Sequence, residues 1–287
     1  MQQALGRQIG LGRGRVAAAA PAPRRRCASV RVAAVAPEYA ALNGCKVVPA
    51  AGGQPVDILS LWPCVPGRRA VVVFLTHFGD LTTWELGRAL KLKALQPLEE
   101  AGVQVITVGL GEPANARAFA SASGYPSDHL YADTTAACYS ALGFTPGFLA
   151  GVDGVDPYLK LLPMLAGIGS PGTVQEVLRG YVGDRSAPPI FDGTLGKAFG
   201  VLGEGYQRPF ELATLRLQNM ASVLSKWGEL APSDRKLLTQ QGGVLVFDGC
   251  DLLYKHSDPG ILRYAPPEEV LAAALGAPQK LITKQRE

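Results

Sequence analysis

Five cysteines, three histidines and one glycine-rich turn are the residues of this chain whose types and spacing could carry chemistry. Cys27, Cys45, Cys64, Cys138 and Cys250 include no pair separated by two residues, so there is no Cys-x-x-Cys, no zinc-ribbon spacing and no disulfide framework. They are expected to be buried or incidental thiols, Cys138 within an apparent helix and Cys250 just after the Asp248-Gly249 turn. His77, His129 and His256 have no partner at helical spacing, so no metal site is expected. Gly109-Leu110-Gly111-Glu112-Pro113-Ala114 is a GxGxxA step between an apparent strand and a helix, and Asp133 lies 24 residues after Gly109. In dinucleotide-binding folds such glycines admit a pyrophosphate and such an acid meets the ribose. Here a strand–helix pair precedes the step, and Glu112 and Pro113 put negative charge and rigidity where phosphates would sit. A simple glycine turn is the better reading, and no cofactor is expected.

These residues must be positioned by an alternation of strands and helices. Arg69 to Thr76 (RAVVVFLT) is a near-continuous β-branched run, the pattern of a strand buried on both faces. Thr82 to Ala101 reads as a helix with Leu86, Leu90, Leu92 and Leu95 as its apolar positions. Val103 to Val108 is a second buried strand, followed by a helix over Pro113 to Ser123 with proline in its first turn. His129 to Ala132 is a third strand and Thr134 to Leu142 another helix. Between about 150 and 239 the chain is rich in Gly and Pro, with helices predicted at Thr173 to Tyr181 and Glu211 to Trp227. On the latter, Leu212, Leu215, Met220, Val223, Leu224 and Trp227 fall near one face, which predicts packing. Gly243 to Phe247 and Asp251 to His256 read as a hairpin, and Pro267 to Leu275 as a closing helix. Lys46 to Pro49 and Val56 to Leu61 are short peripheral elements. The order predicts an α/β fold built on a parallel-centred sheet with right-handed crossovers.

Composition limits what this fold could serve. The chain has 287 residues, 47% hydrophobic and 18% charged, enough for a substantial core and too apolar for a disordered chain. Its most hydrophobic stretch, Leu159 to Ile168, is too short to span a bilayer and is broken by Pro163 and Gly167. Association with a membrane surface stays open. The net charge of +4 is unevenly spread, because residues 1–37 hold seven Arg and no acid. Without those seven, +4 becomes −3, a mildly acidic remainder that argues against nucleic acid as a partner. An Arg-rich, Ala-rich, acid-free leader is the composition of an organelle transit peptide, expected over residues 1–36 and cleaved near 31–36. One domain is then expected over 45–287.

The segment Val71 to Gly87, with its VVVFLTHFG strand, tight loop and long helix, resembles a thioredoxin fold. The same is true of the later YADTTAACYSALGF (131–144) and QQGGVLVFDGCDLLYKHSD (240–258) segments. More specifically, the chain resembles the peroxiredoxin-like branch of the AhpC/TSA family, of peroxiredoxin-like-2 type, in a plant or algal form. The resemblance implies a thioredoxin-like sheet flanked by helices, with an enlarged helical insertion before the closing β-hairpin. Relatives carry a basic–Phe–Gly step followed by Cys-x-x-Cys at the helix start. Here the step is His77-Phe78-Gly79, and Asp80 and Thr83 fall at the positions of the two cysteines. A thiol at a helix N-terminus is acidic because the unpaired N–H groups stabilise the thiolate. Asp80 and Thr83 offer no sulfur. The loop is predicted instead to be a capping box, Thr82 as N-cap with Glu85 reaching back, and Leu81 against Leu86 as a hydrophobic staple. The competing reading makes His77, Gly79, Asp80, Thr82 and Thr83 a degenerate active site whose polar groups line a ligand pocket.

Three functions follow. The first is a peroxiredoxin-like protein of the chloroplast, stromal or thylakoid-associated, with the mitochondrion second. It acts by binding protein partners, in assembly or maintenance of a complex, and catalyses no thiol chemistry. The second is an antioxidant oxidoreductase using an off-motif thiol such as Cys138 or Cys64. The third is a nucleotide-dependent reductase using Gly109 and Gly111.

Overall fold

A computed structural model describes residues 35–150, 152, 154–182 and 207–276. The expected leader and its cleavage point lie outside the described residues, apart from Val35 and Ala36. Among the described residues seven strands form one sheet in the order β2-β1-β5-β4-β3-β6-β7. The strands are β1 (Lys46–Pro49), β2 (Val56–Asp57), β3 (Arg69–His77), β4 (Gln104–Leu110), β5 (Leu130–Asp133), β6 (Gly243–Asp248) and β7 (Asp251–Ser257). β3 is parallel to β4 and β4 to β5, whereas β6 runs antiparallel to β3 and β7 antiparallel to β6. Mixed pairing of this kind, with helices on both faces, is a thioredoxin-like fold.

The apolar run of β3 is continuous because both faces are covered. Val71, Val73 and Leu75 enter one core, which takes in Leu86 and Leu90 of α2 (Leu81–Lys93), Leu95 and Leu98 of α3 (Leu95–Glu100) and Phe119 of α4 (Pro113–Ser123). Ala70, Val72 and Phe74 enter the other, which holds Tyr139 and Leu142 of α5 (Ala137–Leu142) together with Leu42, Ile58 and Trp62. Period-two alternation thus sorts one strand into two cores. α1 (Pro37–Ala41) closes the second core, and the Glu38 carboxylate meets Lys255 of β7 at 3.3 Å. The helix expected over Thr82 to Ala101 is two helices. Pro97 has no N–H for the Lys93 carbonyl and its ring crowds it, so the chain re-sets at Ala94.

The described part of the insertion before the hairpin is helical, with α6 (Pro157–Leu165), α7 (Thr173–Val182), α8 (Gln207–Ser225) and the single turn α9 (Trp227–Leu230). The face expected of α8 is only partly correct. Leu215, Asn219 and Val223 are buried, whereas Met220 and Leu224 are exposed. Leu159, Leu162 and Leu165 of α6 are exposed as well. A third apolar cluster, Met164 with Ile261 and Leu262, joins α6 to the loop after β7 and takes in Leu81 at the start of α2. α10 (Pro267–Leu275) closes the fold on the first core. The hairpin turns at Gly249-Cys250, one residue later than expected, because Asp248 pairs with Asp251.

Candidate functional site

The end of β3 and the start of α2 form the site. β3 delivers His77, the Phe78-Gly79 step turns the chain, and Asp80 N–H donates to the His77 carbonyl at 3.0 Å. Asp80 is the N-cap of α2, its carboxylate accepting from Thr82 N–H at 3.1 Å. This corrects the expected capping box. The turn after Gly79 leaves Asp80 extended and starts the helix at Leu81, so Thr82 lies inside the first turn. Glu85 does not reach back. Leu81 joins the Met164 cluster and Leu86 the first core, so the expected staple is absent too.

The two threonines are used internally. Thr82 Oγ1 accepts from Leu262 N–H at 3.1 Å, and the Thr83 and Thr76 hydroxyls pair at 2.8 Å. Trp84 Nε1–H donates to the Phe78 carbonyl at 2.8 Å, which fixes the turn from the helix side. The insertion covers the site from above. The Trp227 indole stands edge-on to the His77 imidazole, centroids 5.9 Å apart, and a Cβ on Gly79 would come 3.1 Å from that indole.

Electrostatics inside the site are set by burial. His77 is 2% exposed with Nδ1 unpartnered, and desolvation pushes its pKa down while the Asp80 charge partly offsets this. Asp258, just after β7, is 3% exposed. Burial, then the Asp80 charge, holds its carboxyl well above the usual range. Burial thus disfavours the charged form of both His77 and Asp258. Asp258, Trp227 and Leu262 meet the expected residues only through tertiary packing, and no spacing in the sequence signals them.

The remaining candidates sit elsewhere. Gly109 is bare because the Phe78 ring lies against it, and a Cβ there would be 2.4 Å from the ring. Gly111 has φ +133°, its N–H donates to the Asp133 carbonyl at 3.2 Å, and Asn115 fills the space beside it. Asn115 also accepts from Glu112 N–H at 2.7 Å and donates to the Glu229 carbonyl at 2.7 Å, so the chain's own backbone occupies the turn. Asp133 is 1% exposed and accepts the N–H groups of Thr135, Ala137 and Cys138 at the start of α5. Gly109, Gly111 and Asp133 are thus each engaged by the chain's own groups.

The expected view of the cysteines needs one correction. Cys64 and Cys250 are joined in a disulfide across 186 residues of sequence, a separation no spacing rule detects. Cys45 and Cys138 are buried free thiols, and the Cys45 Sγ–H donates to the Ala41 carbonyl at 3.8 Å. Desolvation raises both, and the Asp133 charge raises Cys138 further. A thiolate, the reactive species, is therefore strongly disfavoured at Cys138. Among the described residues no cluster of three His, Cys, Asp or Glu could hold a metal ion. No described helix is long and apolar enough to cross a membrane.

Residues 90–260 match the model of the family described as AhpC/TSA antioxidant enzyme. The matched span is more than half of the chain and begins within α2, after the His77–Thr83 loop. Neither the curated proteins nor the solved structures return a match.

Proposed function

Since the chain belongs to the AhpC/TSA antioxidant enzyme family, we propose that it is a peroxiredoxin-like member with a degenerate active site, one that acts by binding partners and catalyses no thiol redox chemistry. The observation that carries this reading is Asp80 as the cap of α2. The Asp80 carboxylate stands at that helix start and engages the Thr82 N–H, Thr83 is spent on Thr76, and Trp227 covers the loop. The off-motif thiol at Cys138 is held protonated by burial. Apolar side chains exposed on the insertion, such as Leu159, Leu162, Leu217 and Leu224, supply surface of the kind partners cover. The acid-free, Arg-rich first 37 residues support a chloroplast location, and with it a role in assembling or maintaining an organellar complex.

The test has two arms. Purified protein supplied with thioredoxin and peroxide should turn over no faster than buffer. A rate on the order of 1 s⁻¹, retained in the Cys45→Ser/Cys138→Ser variant, would place thiol chemistry at a site this reading denies. A tagged full chain expressed in plant or algal cells should enter the plastid and retain a defined set of proteins on affinity purification. Diffuse cytosolic signal would refute the location, and loss of no partner on Leu159→Glu/Leu162→Glu substitution would refute the proposed surface.

A further inference from the structure

The four described cysteines fall into two environments. Cys45 and Cys138 are buried in the second core, whereas Cys64 is exposed and its partner Cys250 half-buried. The bonded pair joins the loop before β3 to the Gly249-Cys250 turn, with Cα atoms 4.8 Å apart. Three hydrogen bonds hold the same two segments together without using sulfur, and a fourth ties the turn to Ala36 at the start of α1. Trp62 Nε1–H donates to the Gly249 carbonyl at 2.8 Å, Gly249 N–H to the Arg68 carbonyl at 2.9 Å, Ala36 N–H to the Cys250 carbonyl at 3.2 Å, and Gly67 N–H to the Asp248 carboxylate. The Trp62 ring also stacks on Phe247, centroids 5.4 Å apart. Opening the bond thus leaves both thiols facing each other on an unchanged frame. Reach and reversibility are what separate an exchangeable disulfide from a buried staple.

We propose that Cys64–Cys250 is a thiol–disulfide exchange site, opened by a dithiol reductant and closed again by a disulfide oxidant. A reductant thiolate attacks the exposed Cys64 Sγ, the Cys64–Cys250 bond breaks, and Cys250 leaves as a thiolate that takes up a proton. The second reductant thiol then attacks the mixed disulfide and releases Cys64. Two electrons pass to the protein and the reductant departs as a disulfide. Closure is the same sequence in reverse. The site lies at the Arg69 end of β3 and Asp80 beyond its His77 end, about 26 Å away at ~3.3 Å per residue. The exchange is stoichiometric and turns over no peroxide, so it adds no catalysis to the binding reading at α2, and its failure would leave that reading standing.

The experiment treats the full chain, without denaturant, with dithiothreitol or reduced thioredoxin, then quenches with a maleimide and maps the labels by mass spectrometry. The expected result is labelling of Cys64 and Cys250 only after reductant, none at Cys45 or Cys138, and an unchanged circular dichroism spectrum. Oxidised glutathione should abolish the labelling, and thioredoxin lacking its resolving cysteine should be trapped on Cys64. Labelling without reductant, or only once the spectrum collapses, would overturn the proposal. The Cys64→Ser/Cys250→Ser variant should retain the native spectrum and a single cooperative transition. Its failure to fold would show a structural staple and equally overturn the exchange role.

Discussion

Arg216 of α8 grips both carboxylate oxygens of Glu85 on α2, Nε to Oε2 at 2.8 Å and Nη2 to Oε1 at 3.1 Å. The pair is almost fully buried, with side chains 11% and 7% exposed. The Tyr264 hydroxyl adds a third bond to Oε1 at 2.7 Å, and Arg216 Nη1–H donates to the Glu176 carbonyl at 2.7 Å. One guanidinium therefore ties the insertion to the helix that starts at the candidate site. Planar, bidentate geometry is what an arginine provides and a lysine does not.

Arg216→Ala should destabilise the protein by about 3 kcal/mol, because it leaves the Glu85 carboxylate buried without a counter-charge. Arg216→Lys should recover only part of the loss. Urea unfolding at neutral pH checks both, and a change near zero for the alanine variant would mean that water reaches Glu85.

Removing the cap should act through α2. Asp80→Ala is expected to cost about 1 kcal/mol, the usual effect of losing an N-cap, while Asp80→Asn keeps the acceptor and stays near wild type. The asparagine variant also removes the charge that helps raise Asp258, so the Asp258 carboxyl should titrate lower. Thermal unfolding and NMR titration of the carboxyl read the two effects separately.

Two buried groups should shape stability against pH in opposite directions. Asp258 is raised in the folded state, so its proton is kept after the unfolded chain has lost it, and stability falls as pH rises above about 4. His77 is lowered, so the unfolded chain gains a proton first, and stability falls as pH drops below about 6.5. Asp258→Asn should therefore be more stable than wild type at pH 8, with the gap closing toward pH 4. His77→Gln should flatten the acid limb instead. Chemical denaturation across that range checks the pair of slopes.

Gly109→Ala tests the glycine turn. Its methyl group would meet the Phe78 ring, so the variant should lose about 2 kcal/mol, in the range of overpacked cores. Neither form should show a rise in Tm with NAD(H) or NADP(H). A nucleotide-dependent rise in wild type, abolished in the variant, would restore the dinucleotide reading.

What the sequence determined by itself is the set of features whose physics is local. The β-branched run at Val71 to Phe74 could be read because burial on both faces leaves no polar alternation. Pro113 marked the start of α4, and the spacing of Gly243 to His256 marked the hairpin, because turn and helix-start chemistry acts within a few residues. Only the tertiary structure decided which residue caps α2. Asp80, Thr82 and Glu85 all suit a helix start, and the choice fell to the turn that β3 and Gly79 impose on the backbone. The same is true of the Cys64–Cys250 bond, the Arg216 grip on Glu85 and the Trp227 cover, which join residues more than a hundred positions apart. Met220 and Leu224 show the limit from the other side, since a helical apolar pattern states what a face could bury and not whether anything covers it. Local propensity and periodicity act over one or two turns of chain. Pairing across the fold depends on where the sheet and its crossovers bring distant segments, and no short stretch of sequence encodes that.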